Sequence, residues 1–339
     1  MFGQTAKLAR MYRRTLALAT LALAVFLVAA GSAAASPDSW KYEWPKTDFS
    51  KHSVAFNEIL SGGPPKDGIP AVDKPNFLPV GKVTDLAETE PVIGLQIGDT
   101  FRAYPLRILI WHEIVNDTVA GVPVAVTFCP LCNASIVFDR RLDGQVLDFG
   151  TTGKLRNSDL VMYDRQTESW WQQFLGQGIV GAMTGKMLKM LPARLESWAS
   201  FKRRAPDGQV LVPNNPGFRP YGGNPYPGYD SLPRPFLYDG DMPDGVRPLD
   251  RVVSLGKKDQ AWSLPLLRRK RELRVADGIV IRWTPGQNSA LDSSSIADGK
   301  DVGNIVVQRK TSAGLVDVPY FVDFAFAFHA FFPSAPIHN

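Results

Sequence analysis

Two stretches of this chain share one pattern, and that pattern constrains the fold more than any other feature. Ile97-Gly98-Asp99-Thr100-Phe101-Arg102-Ala103-Tyr104-Pro105-Leu106 resembles Leu255-Gly256-Lys257-Lys258-Asp259-Gln260-Ala261-Trp262-Ser263-Leu264. Each reads as a strand, a tight Gly-containing turn, a second strand bearing Ala-aromatic, and the start of a short helix. The spacing predicts helices over 106–113 and 265–273, the second opened by a proline suited to a first helical turn. Another apolar strand follows each helix, over 122–128 and 278–283, and runs into small polar residues at 129–135 and 285–290. These are two degenerate β-β-α-β repeats, at about 92–150 and 251–295. Between them, 137–149 reads as a hairpin turning at Asp143-Gly144, and 160–163, 169–174 and 178–181 read as short strands. The expected fold is α+β and β-rich, one large domain over 36–339. Its Pro/Gly/Tyr-rich connection, 213–235, is expected to be ordered against the body by Tyr221, Tyr226 and Tyr229.

The start of the chain has a different character. Lys7, Arg10, Arg13 and Arg14 precede a largely apolar run from Leu16 to Ala30, and small residues follow through Ser36. A positive segment, a short apolar segment and a small-residue cleavage site make a secretory signal peptide, here residues 1–35. The apolar run is shorter than the roughly 20 residues of a spanning helix, so no stable membrane anchor is expected after cleavage. Arg13-Arg14 fits either ordinary or twin-arginine export. The protein is therefore expected in the periplasm or at the cell surface. Without the four leader cations the formal net charge of +5 falls to +1, which is no nucleic-acid footprint. The one dense basic run, Arg268-Arg269-Lys270-Arg271, reads as a solvated face. With 27 prolines and 29 glycines the chain has many turns, and 8 tryptophans and 19 phenylalanines supply a core.

The only two cysteines lie together in Cys129-Pro130-Leu131-Cys132. A disulfide over so small a loop constrains the unfolded chain little. A redox pair or a pair of metal ligands makes better sense of two lone cysteines in an exported protein. A strand enters the motif and a strand leaves it, which fits a metal-binding knuckle better than a thioredoxin-type strand-to-helix turn. Zinc in a structural site wants four ligands, and no second pair exists. His112, on the preceding helix, and Met162 are the candidates to complete a set; two thiolates, an imidazole and a thioether suit copper. Trp111-His112-Glu113-Ile114-Val115-Asn116-Asp117 is not a zincin site, because Asn116 stands where the second histidine belongs. Glu113 and Asp117 are the candidate proton carriers. Asp164, Ser169, Trp170 and Gln172, near Thr167, read either as turn architecture or as a ligand-binding loop.

Together these segments resemble a family catalogued as domain of unknown function 3179. The resemblance is carried by Arg102-Ala103-Tyr104-Pro105-Leu106, by the 112–117 and 126–132 motifs, by Asp164-x-x-Thr167-x-Ser169-Trp170-x-Gln172 and by the aromatic tail 324–333. It implies no activity. Two functional readings stand: an exported protein with a metal-binding or thiol-redox site, copper or zinc being the candidate ions, or a non-catalytic module that binds a small molecule or a protein partner and in which the cysteine pair is structural. Nothing resembling a glycosidase carboxylate motif, a nucleophile elbow or a phosphate loop is legible.

Overall fold

The computed structural model describes residues 37–256 and 259–339; the expected leader, 1–35, lies outside them. Elements are numbered here in chain order. The described residues form a β-rich α+β structure, with five sheets of four or five strands and short helices at their ends. Among the described residues no helix is long and apolar enough to cross a membrane.

The first sheet has the order β15 (Ala193–Ser197), β3 (Pro91–Ile97), β4 (Thr100–Pro105), β16 (Gln209–Val212) and β2 (Asn76–Pro79). All its pairs are antiparallel except β4 with β16. A second sheet runs β14 (Lys189–Leu191), β7 (Ala134–Asp139), β6 (Val122–Cys129) and β5 (Ile114–Val119). The third comprises β1 (Ile59–Ser61), β10 (Phe149–Arg156), β11 (Asp159–Asp164), β12 (Trp170–Gln172) and β13 (Gln177–Val180). In the C-terminal half, β23 (Tyr320–Phe324), β17 (Arg251–Leu255), β18 (Ala261–Ser263) and β24 (Ile337–His338) form a fourth sheet, with β18 and β24 parallel. The fifth is the antiparallel set β19 (Glu272–Arg274), β20 (Ile279–Thr284), β21 (Asn304–Thr311) and β22 (Gly314–Asp317). Of the expected 137–149 hairpin only a two-stranded ladder, β8 (Arg141–Leu142) with β9 (Gln145–Val146), turns at Asp143-Gly144. Its flanks belong to β7 and β10 instead, because their apolar residues find partners in the larger sheets.

Apart from α1 (Pro37–Trp40), the helices are single seven-residue segments following a strand: α2 (Leu106–His112), α3 (Trp198–Arg204), α4 (Leu264–Lys270) and α5 (Ala325–Phe331). Leu106, Ile108, Leu109 and Ile110 bury most of α2's circumference, so packing rather than propensity holds so short a helix. It stops at Glu113, whose φ of 57° turns the chain directly into β5. Ser263 caps α4 by accepting from Leu266 N, and Pro265 sits in its first turn.

One core cluster runs from Ile93 to Ala327 and takes in both halves of the chain. A separate aromatic cluster covers the far face of the β11–β13 sheet. There Trp40, Trp44 and Phe49, from the segment before β1, surround Trp170 with ring centroids 4.9, 5.3 and 5.5 Å away. Lys154 Nζ lies 5.3 Å from the Trp170 ring, and burial pushes its pKa down.

Candidate metal centre

The buried strand β6 delivers Cys129 to a 3-10 turn, Pro130–Cys132, whose first position the proline ring suits. Asn133 then adopts a left-handed conformation, φ 54° and ψ 23°, and the chain returns as β7 with Cys129 opposite Ala134. Asn tolerates that conformation, so glycine is not required there. Two contacts from distant segments hold the knuckle: Asn133 Nδ2 donates to Val322 O at 2.7 Å, and the Tyr229 hydroxyl donates to Leu131 O at 3.0 Å. The strand–knuckle–strand reading therefore describes the fold at this point.

Facing the knuckle is the tip of the β10–β11 hairpin. Asn157 and Ser158 both have positive φ, 53° and 61°, as a two-residue hairpin turn matched to strand twist demands. Ser158 Oγ donates to Phe236 O at 2.6 Å, which fixes the tip. The carbonyls of Ser158 and Asn157 consequently lie 3.8 Å from Cys129 Sγ and 3.9 Å from Cys132 Sγ. The next residue, Asp159, brings its carboxylate to the thiols. The ligand atoms of Cys129, Cys132 and Asp159 all lie within 4.8 Å of one another, close enough to hold an ion. Asp159 Oδ2 accepts from Gln172 Nε2 at 2.7 Å and from Phe174 N at 2.9 Å, which orients the carboxylate.

The surroundings of the thiols are buried and acidic. Both cysteines are free and buried. Burial pushes the Cys129 thiol up, and the charges of Asp159 and Glu113 push the same way. Cys132 is raised well above the usual thiol range, by burial first and then by Cys129, Asp159 and Asp323. Burial, with Asp159 beside it, pushes Glu113 up to about 8. Tyr226, from the 213–235 connection, is raised by burial and by the charges of Glu113 and Cys129. Thiols in such surroundings are poor nucleophiles, since reactive cysteines need a lowered pKa and access. A cation at the thiols would reverse the logic, because coordination favours thiolate outright.

The remaining candidates lie elsewhere. His112 turns away from the knuckle: its Nδ1 is 2.7 Å from Pro70 O and its Nε2 is 2.7 Å from the Tyr221 hydroxyl. Met162 packs in the main core, and strand alternation puts it on the opposite face of β11 from Asp159. Asp117 accepts from Arg102 Nη1, the Tyr104 hydroxyl at 2.6 Å and Thr118 N, so the Arg-Ala-Tyr motif builds a partly buried ion pair. Asp164 accepts from Thr167 N and Trp171 Nε1, and Ser169 Oγ accepts from Met183 N. With Trp170 buried in the aromatic cluster, these residues form turn architecture. Gln172 does reach the centre, as the partner of Asp159. Asp159 itself was missed by sequence reasoning. Its one signal is its place between a polar two-residue turn and an apolar strand, with no metal-ligand spacing to the cysteines.

A family model described as "Protein of unknown function (DUF3179)" matches residues 66–335. No curated protein and no solved structure matches the chain.

Proposed function

The chain belongs to the DUF3179 family, and from its buried thiol pair we propose that it is an exported protein holding one divalent ion of the zinc type between Cys129, Cys132 and Asp159. The observation that carries this reading is the convergence of two thiols and an oriented carboxylate within 4.8 Å in a buried pocket. Two thiolates with a carboxylate are a zinc-type set. The copper reading needs His112 and Met162, whose side chains are engaged elsewhere. Glu113, whose charge acts on both Cys129 and Asp159, lies outside this set of ligand atoms and is a neighbouring buried carboxyl. Three buried protein ligands leave one position of a tetrahedral ion to a water or a further donor. When bound, the ion would supply positive charge at the thiols and the carboxylate and hold the thiols against oxidation outside the cytoplasm. Gln172 and Phe174 N keep the carboxylate aimed, and the Asn157-Ser158 turn keeps water from the sulfurs.

Support for the duplicated scaffold comes from sheet order and backbone contacts. The orders β15-β3-β4-β16 and β23-β17-β18-β24 agree strand for strand, down to the parallel last pair, and β5-β6-β7-β14 agrees with β19-β20-β21-β22. Glu113 and Arg271 both end a helix at positive φ, and their carbonyls accept from Phe128 N and Trp283 N. The register of Val92 with Pro105 and of Val252 with Ser263 equates Val92 with Val252, so the second hairpin is two residues shorter than the sequence match implies. On this reading the strands β8–β13 are an insertion in the first copy, and they bring Asp159 to the thiols.

Metal content and free thiols, measured on the full chain purified without a metal-binding tag, test the proposal. About one zinc per chain, lost in Cys129→Ser and Cys132→Ser, is the expected result. A quantitative disulfide with no metal overturns it.

A further inference from the structure

A cavity of about 240 Å³ opens in the C-terminal half, between α4, the approach to β17, the end of β20 and residues 300–302. Seven charged residues line it, and five of them compensate one another. Arg251 Nη1 donates to Asp230 Oδ2 at 3.0 Å, and Lys300 Nζ donates to Asp230 Oδ1 at 2.8 Å. Lys300 Nζ also donates to Ser231 Oγ at 2.9 Å and lies 3.2 Å from Asp292, a carboxylate outside the lining. On the rim, Arg247 pairs with Asp250 at 2.9 Å.

Arg268 and Asp301 remain, one of each sign. Among the described residues neither has an ionic partner, so they are not paired with each other either. Both are nonetheless held in place. Asp301 Oδ1 accepts from Gly286 N at 3.0 Å, Gln287 N at 3.3 Å and Gly303 N at 2.8 Å, which leaves Oδ2 for a further donor. The Arg268 guanidinium lies over the Trp283 ring, 5.5 Å from its centroid, and Trp283 Nε1 donates to Val302 O at 2.9 Å, which fixes the indole. Arg271 lies over the same ring at 4.4 Å; it is not part of the lining and adds positive potential near Arg268. Leu249, Leu264 and Val302 supply an apolar wall.

Two fixed, uncompensated charges of opposite sign on one small cavity select a ligand that carries both signs itself. A simple anion would meet Asp301 as well as Arg268, and a simple cation would meet the reverse. We propose that this cavity binds a free α-amino acid with an apolar side chain, its carboxylate on the Arg268 guanidinium, its ammonium on Asp301 Oδ2 and its side chain against Leu249 and Leu264. A guanidinium offers a carboxylate two parallel hydrogen bonds, which fixes the orientation. The volume falls below the about 300–1,000 Å³ of sites for drug-sized ligands, which suits one amino acid of leucine size rather than a peptide. Nothing in the inference depends on an ion at the thiols.

The test is a calorimetric titration of the full chain with L-leucine, beside two analogues that each lack one charge, 4-methylpentanoate and 3-methylbutylamine. Leucine is expected to bind with a Kd of about 1 mM or tighter, and each analogue about tenfold more weakly. Arg268→Gln and Asp301→Asn should each weaken leucine about tenfold, and they should do so with opposite preferences. Asp301→Asn should improve 4-methylpentanoate relative to leucine, and Arg268→Gln should improve 3-methylbutylamine. Both residues are exposed, and asparagine keeps an oxygen for the three backbone donors, so the folds should hold; the melting temperature of each variant checks this. No leucine binding up to about 50 mM overturns the proposal. So does an analogue that binds as tightly as leucine, or leucine binding unchanged in either variant.

Discussion

Glu113→Gln separates a carboxyl buried among acids from one that merely ends a helix. In the folded chain Glu113 titrates at about 8, against an ordinary value of 4.5. An acid raised in this way is protonated in the folded state and ionised in the unfolded state between those two values. The folded state thus binds the extra proton, and stability falls as pH rises from 4.5 to about 8, then stays level above it. The gap corresponds to about 5 kcal/mol at its full extent. Glutamine keeps the shape and removes the titration. Urea denaturation of chelator-treated wild type and E113Q, between about pH 4.5 and 9, isolates this one group by difference. The variant is expected to gain on the wild type steadily with pH, by several kcal/mol above pH 8. Saturating zinc should shrink or reverse that gain, since a bound cation favours the carboxylate. A difference that does not vary with pH would refute the placement of Glu113 in an acidic, desolvated pocket.

Other residues give independent checks. Cys129→Ser or Cys132→Ser should each reduce zinc from about one per chain to none by elemental analysis. Removing the carboxylate's partner with Gln172→Ala should weaken zinc affinity by about 10- to 100-fold in a chelator competition, with the fold retained. Asp117→Ala leaves Tyr104 without its acceptor and Arg102 without its carboxylate, with only Thr118 O still accepting from it, and a loss of about 3 kcal/mol in denaturation is expected with zinc content unchanged. Trp170→Ala should cost roughly 3–5 kcal/mol through the cavity left in the aromatic cluster.

Local features were legible in the sequence and convergence was not. The cysteine knuckle shows because its flanking strand, its proline and its left-handed Asn133 are consecutive. Helix α2 shows because its apolar residues and the strand before it are contiguous. His112, by contrast, is close to the cysteines along the chain and still faces Pro70 and Tyr221, because the reversal at Glu113 sends the two neighbouring side chains to different places. Asp159 comes to the thiols through a hairpin tip from another sheet, a contact that no spacing encodes. The Asp164–Gln172 motif resisted assignment for a related reason. Its residues alternate between the aromatic cluster and the turn network, and only Gln172 points at the centre.

The aromatic cover on the third sheet bears on how this protein is handled. The family match begins at residue 66, yet Trp40, Trp44 and Phe49 are what shield Trp170, and Ile59–Ser61 pair with the outer edge of β10. A fragment trimmed to the matched residues would bare a patch of Tyr163, Trp170 and Val180 and open a strand edge beside it. Such a fragment is expected to aggregate on expression, so the unit that folds is longer than the unit that is recognised.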